Sequence, residues 1–274
     1  MTARKVRNNM KLVQSILTKN PCYKAGKKIA VKGLMLHSVG CSQPKASVFI
    51  NSWNRASYSR ACVHAFIDGN DGTVYQTLPW NHRGWHAGGS ANNTHIGVEM
   101  CEPACIRYTS GSGFTVSNKA EAQACVKRTY EAAVELFAML CKQYGLNPIT
   151  NIISHKEGHS KGIASNHGDP EHLWKGVGLN YTMNTFRQAV KAKMNGQTTP
   201  TPTLSAGGSF MVRVFISDLN IRKGPGTDYS KTGKYTGKGV FTIMEVKAGK
   251  GSTAGWGRLK SGAGWISLDY ATRI

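Results

Sequence analysis

One stretch limits the possible folds more than any other. Gly196-Gln-Thr-Thr-Pro-Thr-Pro-Thr-Leu-Ser-Ala-Gly-Gly-Ser209 consists almost wholly of Gly, Pro, Ser and Thr. Proline removes a backbone donor, and glycine carries a large conformational entropy, so the run supports neither helix nor sheet and reads as a flexible, partly extended linker. Cut there, the 274-residue chain becomes two folding units, residues 1–195 and 210–274, joined by 196–209. Each is long enough to bury a core of its own.

The residue patterns differ on the two sides of the linker. Before it, strand and helix signals alternate. Lys32–His37 reads as a buried strand ending at a histidine. Val63–Asp68 and Gly72–Gln76 read as two strands joined through Gly69-Asn70-Asp71-Gly72, His95–Met100 as another, and Asn151–His155 as a short strand that again ends at a histidine. Asn118–Tyr144 repeats Val126, Tyr130, Ala133, Val134, Phe137, Leu140, Cys141 and Tyr144 on one helical face. Asn118 with Glu121 resembles a capping box, and Gly145 with Pro148 closes the segment. A last helix is expected over Thr182–Met194. The first unit is therefore α/β, a mixed central sheet flanked by helices. Beyond the linker, Phe210–Val214, Leu219–Arg222, Gly239–Val246, Gly255–Leu259 and Gly264–Ser267 alternate with Gly-rich turns, which predicts a small all-β barrel or roll.

The formal charge is +21, spread along the chain rather than gathered in a tail. Such a field attracts a polyanion: nucleic acid, an anionic membrane or an anionic bacterial wall. No apolar run reaches the roughly 18–20 residues that span a bilayer, so stable membrane insertion is not expected. Leu12, Val13, Ile16 and Leu17, behind a basic start, are spaced for a short amphipathic helix and not for a signal-peptide core. The seven cysteines are odd in number and irregular in spacing, a poor disulfide framework with no zinc ribbon. They read as reduced, mostly buried thiols of a protein made in a reducing cytoplasm.

A catalytic zinc needs about three N, O or S ligands and an open position for water. His37 and His155, at strand ends, are well placed to aim at a common point, and a Gly/Ser/His-rich loop brings Asp169 back towards them. With nine histidines in the chain, other triads are conceivable. His155 and His159 have the i, i+4 spacing of a helical zinc pair, although the glutamate directly after the first histidine is missing and Gly158 disfavours a helix. On residue type alone, Glu99 reads equally as a surface strand carboxylate and His167 as a loop residue.

Six motifs in one order narrow this. Gly33-Leu-Met-Leu-His37-Ser, Val63-His64-Ala-Phe-Ile-Asp68, Gly72-Thr-Val-Tyr-Gln76, Trp85-His86-Ala-Gly88, Ile96-Gly-Val-Glu99, and Ser154-His155-Lys followed by His167-Gly-Asp169-Pro170 resemble the zinc-dependent N-acetylmuramoyl-L-alanine amidases. That family shares its fold with phage lysozyme-type amidases and animal peptidoglycan recognition proteins. The resemblance covers about residues 30–190. It implies one zinc ion held by His37, His155 and Asp169, Glu99 as proton acceptor and donor, and His167 (lysine in some relatives) as the oxyanion stabiliser. It further implies a substrate groove lined by His64, Trp85 and His86. Many relatives carry tyrosine where this chain has Val63, so any contribution from that hydroxyl is missing.

In the second unit, Leu219-Asn-Ile-Arg-Lys-Gly-Pro-Gly-Thr-Asp-Tyr229, Gly255-Trp-Gly-Arg-Leu259 and Gly264-Trp-Ile-Ser267 resemble bacterial SH3-like domains, which usually bind the cell wall. Trp256 and Trp265 also suit the core of a small barrel. Together the resemblances imply a monomeric enzyme that cuts the bond between N-acetylmuramic acid and L-alanine, with peptidoglycan and anionic wall polymers such as teichoic acids as its partners. No recognised nucleic-acid motif supports a nucleic-acid partner. Without an evident signal peptide, the expected setting is a phage or prophage endolysin made in the host cytoplasm and acting at the wall. A bacterial autolysin and a non-catalytic peptidoglycan receptor are the alternatives. A receptor of this fold typically lacks a zinc ligand, whereas all three are present here.

Overall fold

Buried apolar strands fix the first unit. The computed structural model describes residues 10–196, 209–247, 249–252 and 254–274. Among these, six strands form one sheet: β1 (Leu12–Gln14), β2 (Gly33–Ser38), β3 (Ala65–Ile67), β4 (Val74–Gln76), β5 (His95–Met100) and, after a small hairpin, β8 (Ile152–Ser154). The order is β1-β4-β3-β5-β2-β8, parallel throughout except for the β3–β4 pair. The hairpin is β6 (Ile106–Tyr108) with β7 (Phe114–Val116). Helices α1 (Pro21–Ala25), α2 (Ala46–Trp53), α3 (Lys119–Tyr144), α4 (His155–Ser160), α5 (Glu171–Gly176) and α6 (Met183–Met194) complete the unit.

Strand side chains alternate between faces, and here the alternation separates packing from chemistry. Leu34, Leu36, Ile96, Val98 and Met100 share a core with Val126, Tyr130, Ala133, Val134 and Phe137 of α3 and Phe186 of α6. His37 and Glu99, each one residue out of phase with this set, point to the opposite face. As expected, Asn118 caps α3 by accepting from the Glu121 N–H, and Gly145 ends it at φ 63°. Thr182 caps α6.

Two local expectations are corrected. Residues 12–17 are not helical: Leu12–Gln14 lies as an edge strand along β4, and the chain then turns to bury Leu17 beside Cys62 and Leu78. His155 does not end a strand. It is the first residue of α4, whose capping box joins Ser154 and Glu157. Gly158, read as a breaker, is buried inside that helix, where a Cβ would meet Met35 Cε at 2.8 Å. Helix and sheet pack closely at that point, and a larger residue would have to push the Met35 terminus aside.

The second unit consists of β9 (Phe210–Val214), β10 (Asn220–Arg222), β11 (Lys231–Tyr235), β12 (Gly239–Lys247), β13 (Trp256–Leu259), β14 (Trp265–Ser267) and β15 (Ala271–Arg273). All pair antiparallel, in the order β11-β10-β14-β13-β12-β9-β15. Val212, Val214, Leu219, Ile221, Ile243, Leu259 and Ile266 form its core. Trp256 and Trp265 are buried beneath Arg222 and Lys247 respectively. The chain divides into compact units between Thr199 and Pro200, within the expected linker. That linker, apart from its two end residues, lies outside the described residues, as does the basic segment 1–9. No helix among the described residues is long and apolar enough to cross a membrane. All seven cysteines are free thiols.

Candidate metal centre

Sheet register assembles the site. Parallel pairing sets His37 of β2 directly beside Glu99 of β5, and Leu36 beside Ser154 of β8. The residue after Ser154 is His155, so both histidines and Glu99 meet at one end of the sheet. The Ser154 cap turns the chain into α4 at that level and swings the His155 ring inward. Asp169 closes the group from the loop preceding α5.

The three side chains are buried, and their ligand atoms all lie within 4.8 Å of one another. His37 Nδ1 is 3.0 Å from His155 Nδ1 and 3.3 Å from Asp169 Oδ2, and His155 Nδ1 is 3.7 Å from Asp169 Oδ1. Ligands about 2 Å from a tetrahedral zinc lie about 3.3 Å from one another, so this spacing fits that ion. The donor chemistry fits as well. Two imidazole nitrogens and a carboxylate converge in a buried space, a donor set that a cation between them would satisfy. The Ser38 N–H donates to Asp169 Oδ2 at 3.3 Å and fixes the carboxylate.

Charge is tuned throughout the cluster. Burial works against ionised His37, but Asp169 and Glu99 outweigh it and raise its pKa above the ordinary value. Burial and the neighbouring His37 bring His155 down to about 4. For Asp169, burial pushes the carboxyl up, yet His37 and His155 more than offset this and hold it below the ordinary range. Glu99 is pushed up to about 8 by burial, with Asp169 and Glu102 adding to the rise against the pull of His37. Its Oε2 is buried and has no hydrogen-bond partner. A carboxyl so placed has both the affinity and the free lone pairs to take a proton from a molecule entering the site.

The remaining expected residues are not equivalent. His167 is exposed, with its Nδ1 3.1 Å from His155 Nε2 and 3.0 Å from Ser165 Oγ. It stands behind the His155 ring, on the side away from the converging Nδ1 atoms. Trp85 holds its backbone to Cys62 and is 49% exposed. His86 is buried against His37, 3.0 Å between ring nitrogens. His64 exposes no surface; its Nδ1 accepts from the Gly97 N–H and its Nε2 donates to the His82 carbonyl. The groove-lining role is therefore corrected for His64, which braces β5 from within. The alternative His155–His159 pair is not gathered, because His159 is exposed and its Nδ1 faces the Ala164 carbonyl at 3.4 Å. Val63, at the position many relatives give to tyrosine, packs with Phe66 and Cys101.

Sequence reasoning missed Glu102. It is fully buried, and burial raises its pKa to about 7. It accepts from the Tyr108 hydroxyl at 2.7 Å and the Gly40 N–H at 3.0 Å. His172 donates in turn to Tyr108 at 2.7 Å, so the β6–β7 hairpin and α5 are tied to the end of the sheet. A charged residue three places after Glu99, in an otherwise apolar strand exit, was the available signal.

Residues 27–172, just over half of the chain, match the family described as N-acetylmuramoyl-L-alanine amidase. Over 44 residues the chain is 53% identical to N-acetylmuramoyl-L-alanine amidase XlyA of Bacillus subtilis (strain 168), covering 15% of this chain and 14% of that protein. The chain thus spans about a seventh of the length of that curated relative. Among solved structures, a mutant endolysin from Bacillus subtilis is 20% identical, with 66% of this chain and 99% of that one covered at a TM-score of 0.46. The Staphylococcus aureus hydrolase AmiA in complex with its ligand is 18% identical, with 73% and 89% covered at a TM-score of 0.49. Likeness at this level speaks to neither activity nor site.

Proposed function

The chain belongs to the N-acetylmuramoyl-L-alanine amidase family, and from that premise we propose that it hydrolyses the amide joining N-acetylmuramic acid to the L-alanine of the peptidoglycan stem. His37, His155 and Asp169 would hold one zinc ion. When bound, zinc lowers the pKa of a coordinated water and polarises the scissile carbonyl. Glu99 accepts the proton released as water adds to the carbonyl carbon. It then delivers a proton to the alanine nitrogen as the C–N bond breaks, leaving a lactyl carboxylate and a free amine. Trp85 offers its exposed face to the sugar or stem peptide. His167 reaches the oxyanion only by turning away from His155, and in its present position it braces that ligand.

The observation that carries this reading is the convergence of three ligand atoms next to a carboxyl whose buried oxygen has no partner. In keeping with the sequence motifs, the second unit acts as an SH3-like wall-binding module. Its two tryptophans serve the core, so recognition falls to other surface residues. The spread positive charge draws the enzyme to anionic wall polymers. The protein works as a monomer, as a phage or prophage endolysin.

Incubation of the purified protein with peptidoglycan tests the reading. New alanine amino termini should appear, and a chelator should abolish them. Reducing sugar ends without new amino termini would make the protein a glycosidase and overturn the proposal, and new termini at another residue would make it an endopeptidase.

A further inference from the structure

Each histidine ligand has a second ring nitrogen, and what it touches determines which nitrogen is free for a metal. His37 turns Nδ1 towards Asp169 and His155, while its Nε2 lies 3.0 Å from His86 Nδ1. His86 in turn sets its own Nε2 3.1 Å from the carbonyl oxygen of His95. A carbonyl only accepts, so His86 Nε2 carries a hydrogen. Two N–H groups cannot face each other at 3.0 Å, so a single proton lies between His86 and His37. On His86 it would create a buried imidazolium with no carboxylate among its hydrogen-bond partners, an expensive arrangement. On His37 it leaves His86 neutral, and once His37 itself is neutral its Nδ1 lone pair is bare.

A parallel chain stands behind His155. Its Nε2 is 3.1 Å from Ser165 Oγ, and that hydroxyl donates to the Ala87 carbonyl at 3.3 Å. With its hydrogen spent on Ala87, Ser165 offers lone pairs to His155, so Nε2 is again the protonated nitrogen and Nδ1 is free. His167 Nδ1 lies 3.1 Å from the same Nε2 and 3.0 Å from Ser165 Oγ.

Both chains end on carbonyls of one short segment, Ala87 and His95. Asn92 fixes that segment through Oδ1, which accepts from the His86 and Ala87 N–H groups at 2.8 and 2.9 Å. Clearance for both is provided by glycine. A Cβ at Gly97 would come within 2.4 Å of His86 Nδ1, and one at Gly88 within 2.6 Å of Ser165 Oγ.

We propose that His86 and Ser165 are positioning residues that hold His37 and His155 in the Nε2–H tautomer, so that both present bare Nδ1 atoms to the metal. This rests on the zinc reading above. Such partners of metal-bound histidines typically account for about 10–100-fold in metal affinity. The substitutions differ in what they preserve. In His86→Asn, the amide oxygen stands where Nδ1 stood and can still accept from His37. His86→Leu keeps bulk and removes the acceptor. Ser165→Ala removes the hydroxyl behind His155.

The test uses the full chain and two readouts. Two-bond 1H–15N spectra of the metal-free wild type at alkaline pH should show Nε2–H at both His37 and His155. Zinc affinity, by competition with a chromophoric chelator, should fall about 10–100-fold in His86→Leu and about tenfold in Ser165→Ala, and return to within a few-fold of wild type in His86→Asn. Nδ1–H at either ligand, or folded His86→Leu and Ser165→Ala proteins that bind zinc as tightly as wild type, would overturn the proposal. If His86→Leu does not fold, Ser165→Ala and the wild-type spectrum still decide. A wild type that binds no zinc would refute the metal reading, while the spectrum would still confirm or refute the tautomers.

Discussion

Glu99→Gln should stabilise the metal-free protein while abolishing turnover. In the folded chain the Glu99 carboxyl keeps its proton up to about pH 8, against an ordinary value of 4.5. Below pH 4.5 both folded and unfolded chains carry that proton, and Glu99 costs nothing. Between 4.5 and 8 the unfolded chain gives up the proton and the folded chain does not, so stability declines steadily as pH rises. At about 1.36 kcal/mol per pH unit the loss would reach about 5 kcal/mol for a sealed carboxyl. The side chain is only partly enclosed, and solvent screening brings this to about 1–2 kcal/mol. Glutamine cannot ionise and escapes the penalty. Thermal unfolding of chelated protein should therefore show Glu99→Gln melting about 3–6 °C above wild type at pH 8, with the two alike at pH 4. Zinc favours the ionised carboxylate, so loading with metal should shrink the gap. Turnover should fall about 10²–10⁴-fold, as expected for losing a proton-transfer group. Equal melting temperatures at pH 8, a variant less stable than wild type there, or retained turnover would each refute the reasoning.

Other outcomes follow from the same geometry. Asp169→Asn should keep the fold but lose most zinc affinity and nearly all activity, which metal analysis of the purified variant checks directly. Trp85→Ala should raise KM on soluble muropeptides several-fold with little change in kcat or zinc content, because the residue is half exposed and is not one of the three clustered ligands. A chain ending at residue 209 should cleave soluble fragments like the full protein but act more slowly on intact walls, since tethering raises effective concentration at an insoluble substrate. Wall binding of the full chain should weaken as salt rises, since a formal charge of +21 acts through screened fields.

How much of this was readable in the chain differs from residue to residue. His37 was legible as a strand-end histidine and Glu99 only through the ordered motifs, and parallel pairing sets them side by side. His155 was legible as a ligand candidate but not as a helix start. Its helix contains a glycine, which local propensity counts against, and the close packing on Met35 and Ala164 at that point is visible only in the fold. Asp169 was nominated by loop composition and made credible by ordered motifs, since no periodicity announces a residue delivered by a loop. The strands β11 and β15 escaped notice because they are the edges of their sheet, where an exposed polar face carries no hydrophobic signal. The anchoring of Glu102 on Gly40, and of Ser165 on Ala87, depends on contacts between segments far apart in the chain, which local patterning cannot encode. His64 shows the reverse failure: a motif histidine that looked like a groove residue is consumed entirely by backbone hydrogen bonds.

The central claim is that His37, His155 and Asp169 hold a zinc ion without which the amide is not cut. Its most direct test strips the purified protein with a chelator, returns zinc in increments, and measures bound metal and released alanine amino termini on the same samples. Activity should vanish with the metal, return in proportion to it, and saturate at one zinc per chain, with His37→Ala taking up none. Full release of alanine termini from metal-free protein, or zinc bound normally by His37→Ala, would contradict it.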